Sequence, residues 1–219
     1  LSILGDDYHV QRRRPTGWNE IFNFQSPELK LNQALINLIG AYQVDNASVA
    51  IETFLQYCRV NHLKFSPRLI LKGLAETTWP GRLEKLNDEP LVVIDGAHNV
   101  PAVQGLVPVL SQRFVQRDVY VILAIFADKQ YRQMVKILGR VRNVHLVLTE
   151  FQGPGQRSAA NLAPVAKSLR AKQPVRYVAN WKRAIVETAS RMSLDDVLLI
   201  TGSLYFISNV RPLFFKSEK

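Results

Sequence analysis

Leu91-Val92-Val93-Ile94-Asp95-Gly96-Ala97-His98-Asn99 runs from four consecutive apolar residues, three of them β-branched, into a polar turn built around a glycine. A run this short and this uniformly apolar, closed by turn residues, has the signature of a strand buried on both faces. The same pattern recurs downstream at Val119–Ile125, Val144–Leu148, Val175–Val178 and Val197–Thr201. Between these runs lie amphipathic stretches at about 101–114, 129–140, 158–170 and 181–192, each long enough to cross over a sheet. Strictly alternating strands and helices predict an α/β fold with a doubly wound, mostly parallel sheet covered by helices on both faces.

Upstream of this region the pattern changes. The stretch to Phe24 is β-leaning and broken by Arg12-Arg13-Arg14-Pro15-Thr16-Gly17, a turn between two strands. Residues 29–38 fit a strand and a helix equally well. From Gly40 onward Val44, Ala47, Ala50, Ile51, Phe54 and Leu55 recur at helical spacing, which predicts a helix over 41–61. A second helix is expected from Pro67 to about Glu76, with Ser66 as its N-cap, before Trp79-Pro80-Gly81 breaks the pattern. The chain is therefore divided near residue 83, into 1–82 and 83–219. Its hydrophobic first residue suggests a piece cut from something longer.

The 219 residues are 47% hydrophobic and 21% charged, an ordinary globular composition. No apolar run approaches the ~20 residues of a membrane-spanning helix. The single Cys58 can form neither an internal disulfide nor a zinc cluster, and no signal peptide opens the chain, so a cytoplasmic setting is the simplest expectation. The formal charge of +10 is concentrated: residues 1–80 carry eight basic and seven acidic side chains, residues 81–219 twenty and eleven. Such a field favours anionic partners without choosing among nucleotides, polycarboxylates and nucleic acid.

In an open parallel sheet, ligands bind beyond the carboxyl ends of the strands, where loops and helix N-termini converge. That rule selects Asp95-Gly96-Ala97-His98-Asn99 after the first strand of the second part, and Thr201-Gly202-Ser203-Leu204-Tyr205-Phe206 after the last. Both clusters are expected on one edge. Each residue also has a plainer use: Asp95, Asn99 and Ser203 as helix caps, His98 as the partner of a carboxylate, Tyr205 as packing. Elsewhere, Gln43 and Asn46 share one helix face, and the Pro80-Gly81 turn would present Arg82 in a fixed direction suited to phosphate oxygens.

Taken in order, Gly40-Ala41-Tyr42-Gln43-Val44-Asp45-Asn46-Ala47, Trp79-Pro80-Gly81-Arg82-Leu83-Glu84, the Asp95–Asn99 run and the Thr201–Phe206 run resemble the folylpolyglutamate synthase / dihydrofolate synthase family of ATP-dependent Mur-type ligases. The resemblance covers about residue 29 to the end. It implies a Rossmann-like C-terminal ligase domain preceded by the tail of a central ATP-binding domain. It also implies a reaction in which ATP phosphorylates the carboxylate of a folate or dihydropteroate and L-glutamate attacks the acyl phosphate. By motif, Asn46, Arg82 and Asp95 are the implied nucleotide contacts, and His98, Ser203 and Tyr205 the wall that positions glutamate and the reacting carboxylate. ATP and Mg²⁺ are the implied cofactors, with the metal ligands upstream of this chain, and the implied protein is a monomer that engages neither nucleic acid nor membrane.

The chain also departs from the family. No Gly-x-x-x-x-Gly-Lys-Ser/Thr phosphate loop occurs, so this chain is expected to be the carboxy-terminal portion of the enzyme, inactive by itself. Val100 separates the Asp95–Asn99 run from Pro101, and Asp128-Lys129-Gln130 stands where the family has Asp-Lys-Asp. Two rival readings are weaker. A nicotinamide dehydrogenase needs Gly-x-Gly-x-x-Gly after a strand, and Gly153-Pro154-Gly155 continues wrongly; a nucleic-acid-binding module lacks aromatic-plus-basic stacking motifs.

Overall fold

The computed structural model describes residues 1–155 and 157–215. The chain divides into two compact units, Leu1–Trp79 and Pro80–Lys219. The division lies upstream of residue 83 because the Pro80–Leu83 segment is bonded to the second unit: Gly96 N donates to Gly81 O at 2.8 Å and Leu83 N to Asp95 Oδ2 at 3.0 Å.

In the first unit, β1 (His9–Arg12), β2 (Glu20–Gln25) and β3 (Lys30–Ile36) form an antiparallel sheet in sequence order. Helices α1 (Ala41–Val60) and α2 (Pro67–Glu76) pack on it, burying Phe22, Phe24, Ala34, Ile51, Leu55 and Leu74. Ser66 takes the N-cap position of α2, with Pro67 in the first turn, but its side chain makes no cap hydrogen bond. The ambiguity over 29–38 resolves as a strand. The register slips between Phe22 and Phe24, where Gln33 adopts a φ of 53° and its N–H is taken by Asn23 Oδ1. This bulge spaces buried Leu31 and Ala34 three residues apart, imitating helical periodicity.

The second unit is a six-stranded sheet in the order β4-β5-β9-β6-β7-β8: β4 (Glu84–Asn87), β5 (Leu91–Asp95), β6 (Val119–Leu123), β7 (Val144–Glu150), β8 (Arg176–Asn180) and β9 (Val197–Thr201). All neighbours are parallel except the edge strand β4, which runs antiparallel to β5. Between the strands lie α3 (Val100–Pro108), α4 (Tyr131–Leu138), α5 (Ala163–Ser168) and α6 (Trp181–Ala189), with α7 (Leu204–Val210) after the last. Every residue of β5 and β9 is buried, so both faces of the sheet are covered, as a doubly wound α/β fold requires. On one face Val92, Ile94, Ile122, Leu198 and Ile200 pack with Ala184 of α6 and with Phe206 and Ile207 of α7.

Several sequence expectations are corrected. The stretch 158–170 is helical only over Ala163–Ser168, because Ser158 and Ala159 bridge Gln152 and Phe126 and Ala160 N donates to Ile125 O. Strand β6 stops at Leu123, because Ala124 N turns to Thr201 O. The stretch 101–114 begins at Val100, with Asn99 as cap, and beyond Pro108 opens into a π turn over Val109–Arg113. Proline's missing N–H breaks the α-helical ladder at that point. The edge strand β4 was not anticipated, since its Glu-Lys-Leu-Asn sequence has none of the apolar continuity of the inner strands.

Candidate functional site

Parallel register brings Asp95, Thr201 and Leu123 side by side at the carboxyl ends of β5, β9 and β6. The loops that leave these residues therefore share one rim. Pro80–Leu83 joins them through Gly81, and a Cβ placed on Gly96 would lie 2.3 Å from Leu204 Cδ2, which shows how closely the Asp95 and Thr201 loops approach. Gly202 has φ +113°, and a Cβ there would fall 2.3 Å from the Ala124 carbonyl oxygen, so only glycine lets β9 turn into α7 against β6.

Asp95 is 2% exposed, and both its oxygens are engaged: Oδ2 accepts from Leu83 N at 3.0 Å and Oδ1 from Ala97 N at 2.8 Å. Burial pushes its carboxyl above the ordinary carboxylate value; the two N–H donors, then the charges of Arg82 and His98, oppose that rise without cancelling it. Asp95 thus shapes the rim from within. His98 is half-buried, with Nδ1 2.8 Å from the Gly96 carbonyl oxygen. A carbonyl only accepts, so Nδ1 carries a proton and, in the neutral ring, Nε2 is the acceptor. Ser203 is buried and caps α7, its Oγ accepting from Phe206 N at 3.4 Å; the cap uses a lone pair and not the hydroxyl proton. Two residues on, the Tyr205 ring is 38% exposed and sits 6.3 Å from Phe126 and 6.1 Å from Phe151.

Arg82, Asp95, His98, Ser203 and Tyr205 are thus brought to one rim of the second unit. Asn46 belongs to the first unit, exposed on α1, with Nδ2 donating to Gln43 Oε1 at 3.0 Å.

Sequence reasoning missed a cavity of about 580 Å³ at the same end of the sheet, past β7 and β8, lined by Glu150, Phe151, Gly153, Arg157, Asn180 and Trp181. Arg157 stacks 3.8 Å above the Phe126 ring and bonds Asp128 Oδ2 at 3.0 Å, while Tyr177 OH donates to Glu150 Oε1 at 2.6 Å. Phe126 and Phe151 line up between this cavity and Tyr205. The signal is Gly153-Pro154-Gly155 followed by Arg157 after a strand, a turn that need not be a dinucleotide loop to bring a guanidinium to the strand end. Among the described residues no group of three or more His, Cys, Asp or Glu side chains is placed to hold a metal ion, and both oxygens of Asp95 serve backbone donors.

Residues 81–204, which span the sheet and all of the rim but Pro80 and Tyr205, match the family model of the Mur ligase, glutamate ligase domain. The chain belongs to this family. Among similar Mur-type ligases, the folylpolyglutamate synthase of Lacticaseibacillus casei is 34% identical over 206 residues, 94% of this chain and 46% of that protein. The dihydrofolate synthase/folylpolyglutamate synthase of Bacillus subtilis (strain 168) is 30% identical over 197 residues, 88% of this chain and 44% of that one. A solved FPGS–AMPPCP–folate complex matches 97% of this chain and 46% of its own with a TM-score of 0.77 at 30% identity. The chain spans about half the length of the curated relatives it matches. Among the described residues no helix is long and apolar enough to cross a membrane.

Proposed function

We propose that this chain is the carboxy-terminal portion of an ATP-dependent ligase that joins L-glutamate to a folate or to dihydropteroate. In this reading residues 1–82 are the tail of the central ATP-binding domain, residues 83–219 the ligase domain, and the protein acts as a cytoplasmic monomer. The observation that carries the reading is the convergence of the Gly81–Leu83, Gly96–Asn99 and Gly202–Leu204 loops on one rim, inside the segment that matches the glutamate ligase domain. The likeness to a folylpolyglutamate synthase complex with an ATP analogue and folate supports ATP and folate as its substrates.

A carboxylate is a poor electrophile until one oxygen becomes a good leaving group. Transfer of the γ-phosphoryl of ATP to the substrate carboxylate gives an acyl phosphate and ADP; the glutamate nitrogen then attacks the acyl carbon, phosphate departs with the bonding pair, and the nitrogen loses its proton. Arg82 supplies positive charge to the phosphates, Asn46 and Asp95 belong to the nucleotide side, and Asp95 acts by holding the loop on which Arg82 stands. His98 Nε2 accepts from the incoming amine, Tyr205 walls the acyl side, and Ser203 fixes the start of the helix that carries Tyr205. The cavity beyond Tyr205 offers one guanidinium, Arg157, suited to a carboxylate of the amino acid. Fixed donors and charges at a preorganised rim are what such a transfer requires. ATP contributes the activating phosphoryl group, and the ligands of Mg²⁺ are expected upstream of this chain.

The test is ATP-dependent incorporation of labelled glutamate into folate and into dihydropteroate by the full-length gene product, followed by chromatography of the product. Incorporation with stoichiometric ADP release is expected. The 219-residue chain alone is expected to give neither ligation nor more than weak thermal stabilisation by ATP. Absence of incorporation in the full-length protein, or salt-sensitive DNA binding tighter than its ATP binding, overturns the reading.

A further inference from the structure

Arg82 lies between two residues in the left-handed backbone region, Gly81 at φ +73° and Leu83 at φ +42°. Leucine avoids that region, so something must hold the loop there. Each flanking N–H is gripped by a carboxylate. Gly81 N donates to Glu84 Oε2 at 2.8 Å and Leu83 N to Asp95 Oδ2 at 3.0 Å, while Gly81 O accepts from Gly96 N at 2.8 Å. The Glu84 side chain is only 17% exposed and is itself fixed from far along the chain: Arg211, in the 3₁₀ turn Arg211–Phe214 after α7, donates from Nε to Oε1 at 2.9 Å and to Oε2 at 3.1 Å, and its Nη2 lies 2.9 Å from Oε1. The Arg211 guanidinium also packs 4.5 Å from the Phe215 ring centroid. The bond to Glu84 raises the Arg211 pKa.

We propose that Glu84 and Arg211 are positioning residues for Arg82. Glu84 and Asp95 form a carboxylate clamp on either side of Arg82, and Arg211 keeps the Glu84 arm in place. The clamp fixes the Cα from which the guanidinium stem departs, so the reach of Arg82 is set by Arg211, which lies 127 positions beyond Glu84 in the chain. A loop held by bonds at Gly81 N, Gly81 O and Leu83 N cannot shift to follow a ligand, which is how an arginine becomes preorganised for a phosphate. This rests on the reading of Arg82 as a phosphate contact.

The experiment is a double-mutant cycle in the full-length protein, following KM for ATP and kcat, with melting temperature and circular dichroism as folding controls. Arg82→Ala is expected to raise KM for ATP. Glu84→Ala is expected to raise it by about tenfold, the scale of a lost charge-assisted hydrogen bond, with the KM for glutamate unchanged. Glu84→Gln, which keeps an acceptor for Gly81 N but not the charge for Arg211, is expected to recover most of that loss, and Arg211→Gln to fall between the two. In the Arg82→Ala background, Glu84→Ala is expected to add nothing, because its effect passes through Arg82. Additive losses in that background, or an unchanged KM for ATP in folded Glu84→Ala, overturn the clamp while leaving the ligase reading intact. An Arg82→Ala enzyme with unchanged KM for ATP overturns both the clamp and the phosphate role of Arg82.

Discussion

Asp95 at the end of β5 and Leu83 just before β4 are joined by a 3.0 Å bond from the leucine N–H to the buried carboxylate, closing the loop that carries Arg82. Burial raises the Asp95 pKa above its ordinary 3.8, against the pull of its backbone donors. The folded state therefore binds the Asp95 proton more tightly than the unfolded chain does. Asp95's contribution is fully favourable below 3.8 and is lost as pH rises through the shifted value. Comparing urea unfolding of the wild type with Asp95→Asn isolates this slope, since other groups cancel. The stability difference between the two is expected to move against the wild type as pH increases above 3.8, on top of a constant loss from the amide's single acceptor oxygen. A difference that is flat, or that grows in favour of the wild type, contradicts the burial argument.

Gly202→Ala is expected to destabilise the chain by about 3 kcal/mol or more, because the new methyl would press on the Ala124 carbonyl from a backbone conformation that alanine avoids. Neither the end of β6 nor the start of α7 can move away without disturbing the 3.2 Å Ala124 N to Thr201 O bond. Chemical denaturation measures the loss. A change below about 1 kcal/mol would mean that the rim yields.

The strands β5 and β9 were legible to the residue because each is a uniform apolar run stopped by Asp-Gly or Thr-Gly, and the strand-end rule then placed Asp95, His98, Ser203 and Tyr205 together. Other parts were hidden for definite reasons. Lys30–Ile36 was ambiguous because a bulge at Gln33 rewrites the period, and β4 because a half-exposed edge needs no apolar run. The plain role of Ser203 as a cap was equally readable beforehand, and the structure shows the cap bond. That Arg157 and Glu150 line one cavity was not legible, since it depends on the Gln152–Ser158 bridge closing the loop that begins Gly153-Pro154-Gly155. That Glu84 would hold Gly81 N could not be read from a motif in which the glutamate looks like a surface residue.

Tyr177 is expected to ionise well above the ordinary tyrosine range. Its bond to Glu150 and its burial push its pKa up to about 12, because removing the proton would set a phenolate against a carboxylate. A raised tyrosine pKa contributes stability that is present below 10 and lost as pH rises toward 12. Ultraviolet difference titration should resolve a tyrosine titrating near 12, and Glu150→Gln should bring its midpoint down toward 10. A Glu150→Gln titration that overlays the wild type would show that Glu150 does not face the phenol in solution.

His98 and Arg157 stand on different loops of the same edge, one beside Gly96 and one over Phe126, so their loss should be felt differently. Arg157→Ala removes a charge from the cavity and is expected to raise KM for glutamate in the full-length protein by about tenfold, with kcat changed little; this is the signature of lost uniform binding. His98→Ala removes the Nε2 acceptor, and should lower kcat as well as impair glutamate use, with a smaller change in KM for ATP. His98→Asn keeps an acceptor but not a ring, so it should recover part of kcat if hydrogen bonding to the amine is what matters. If His98→Ala instead raises KM for ATP and spares glutamate, the histidine belongs to the nucleotide side of the rim, and Arg157 alone is left to receive the amino acid.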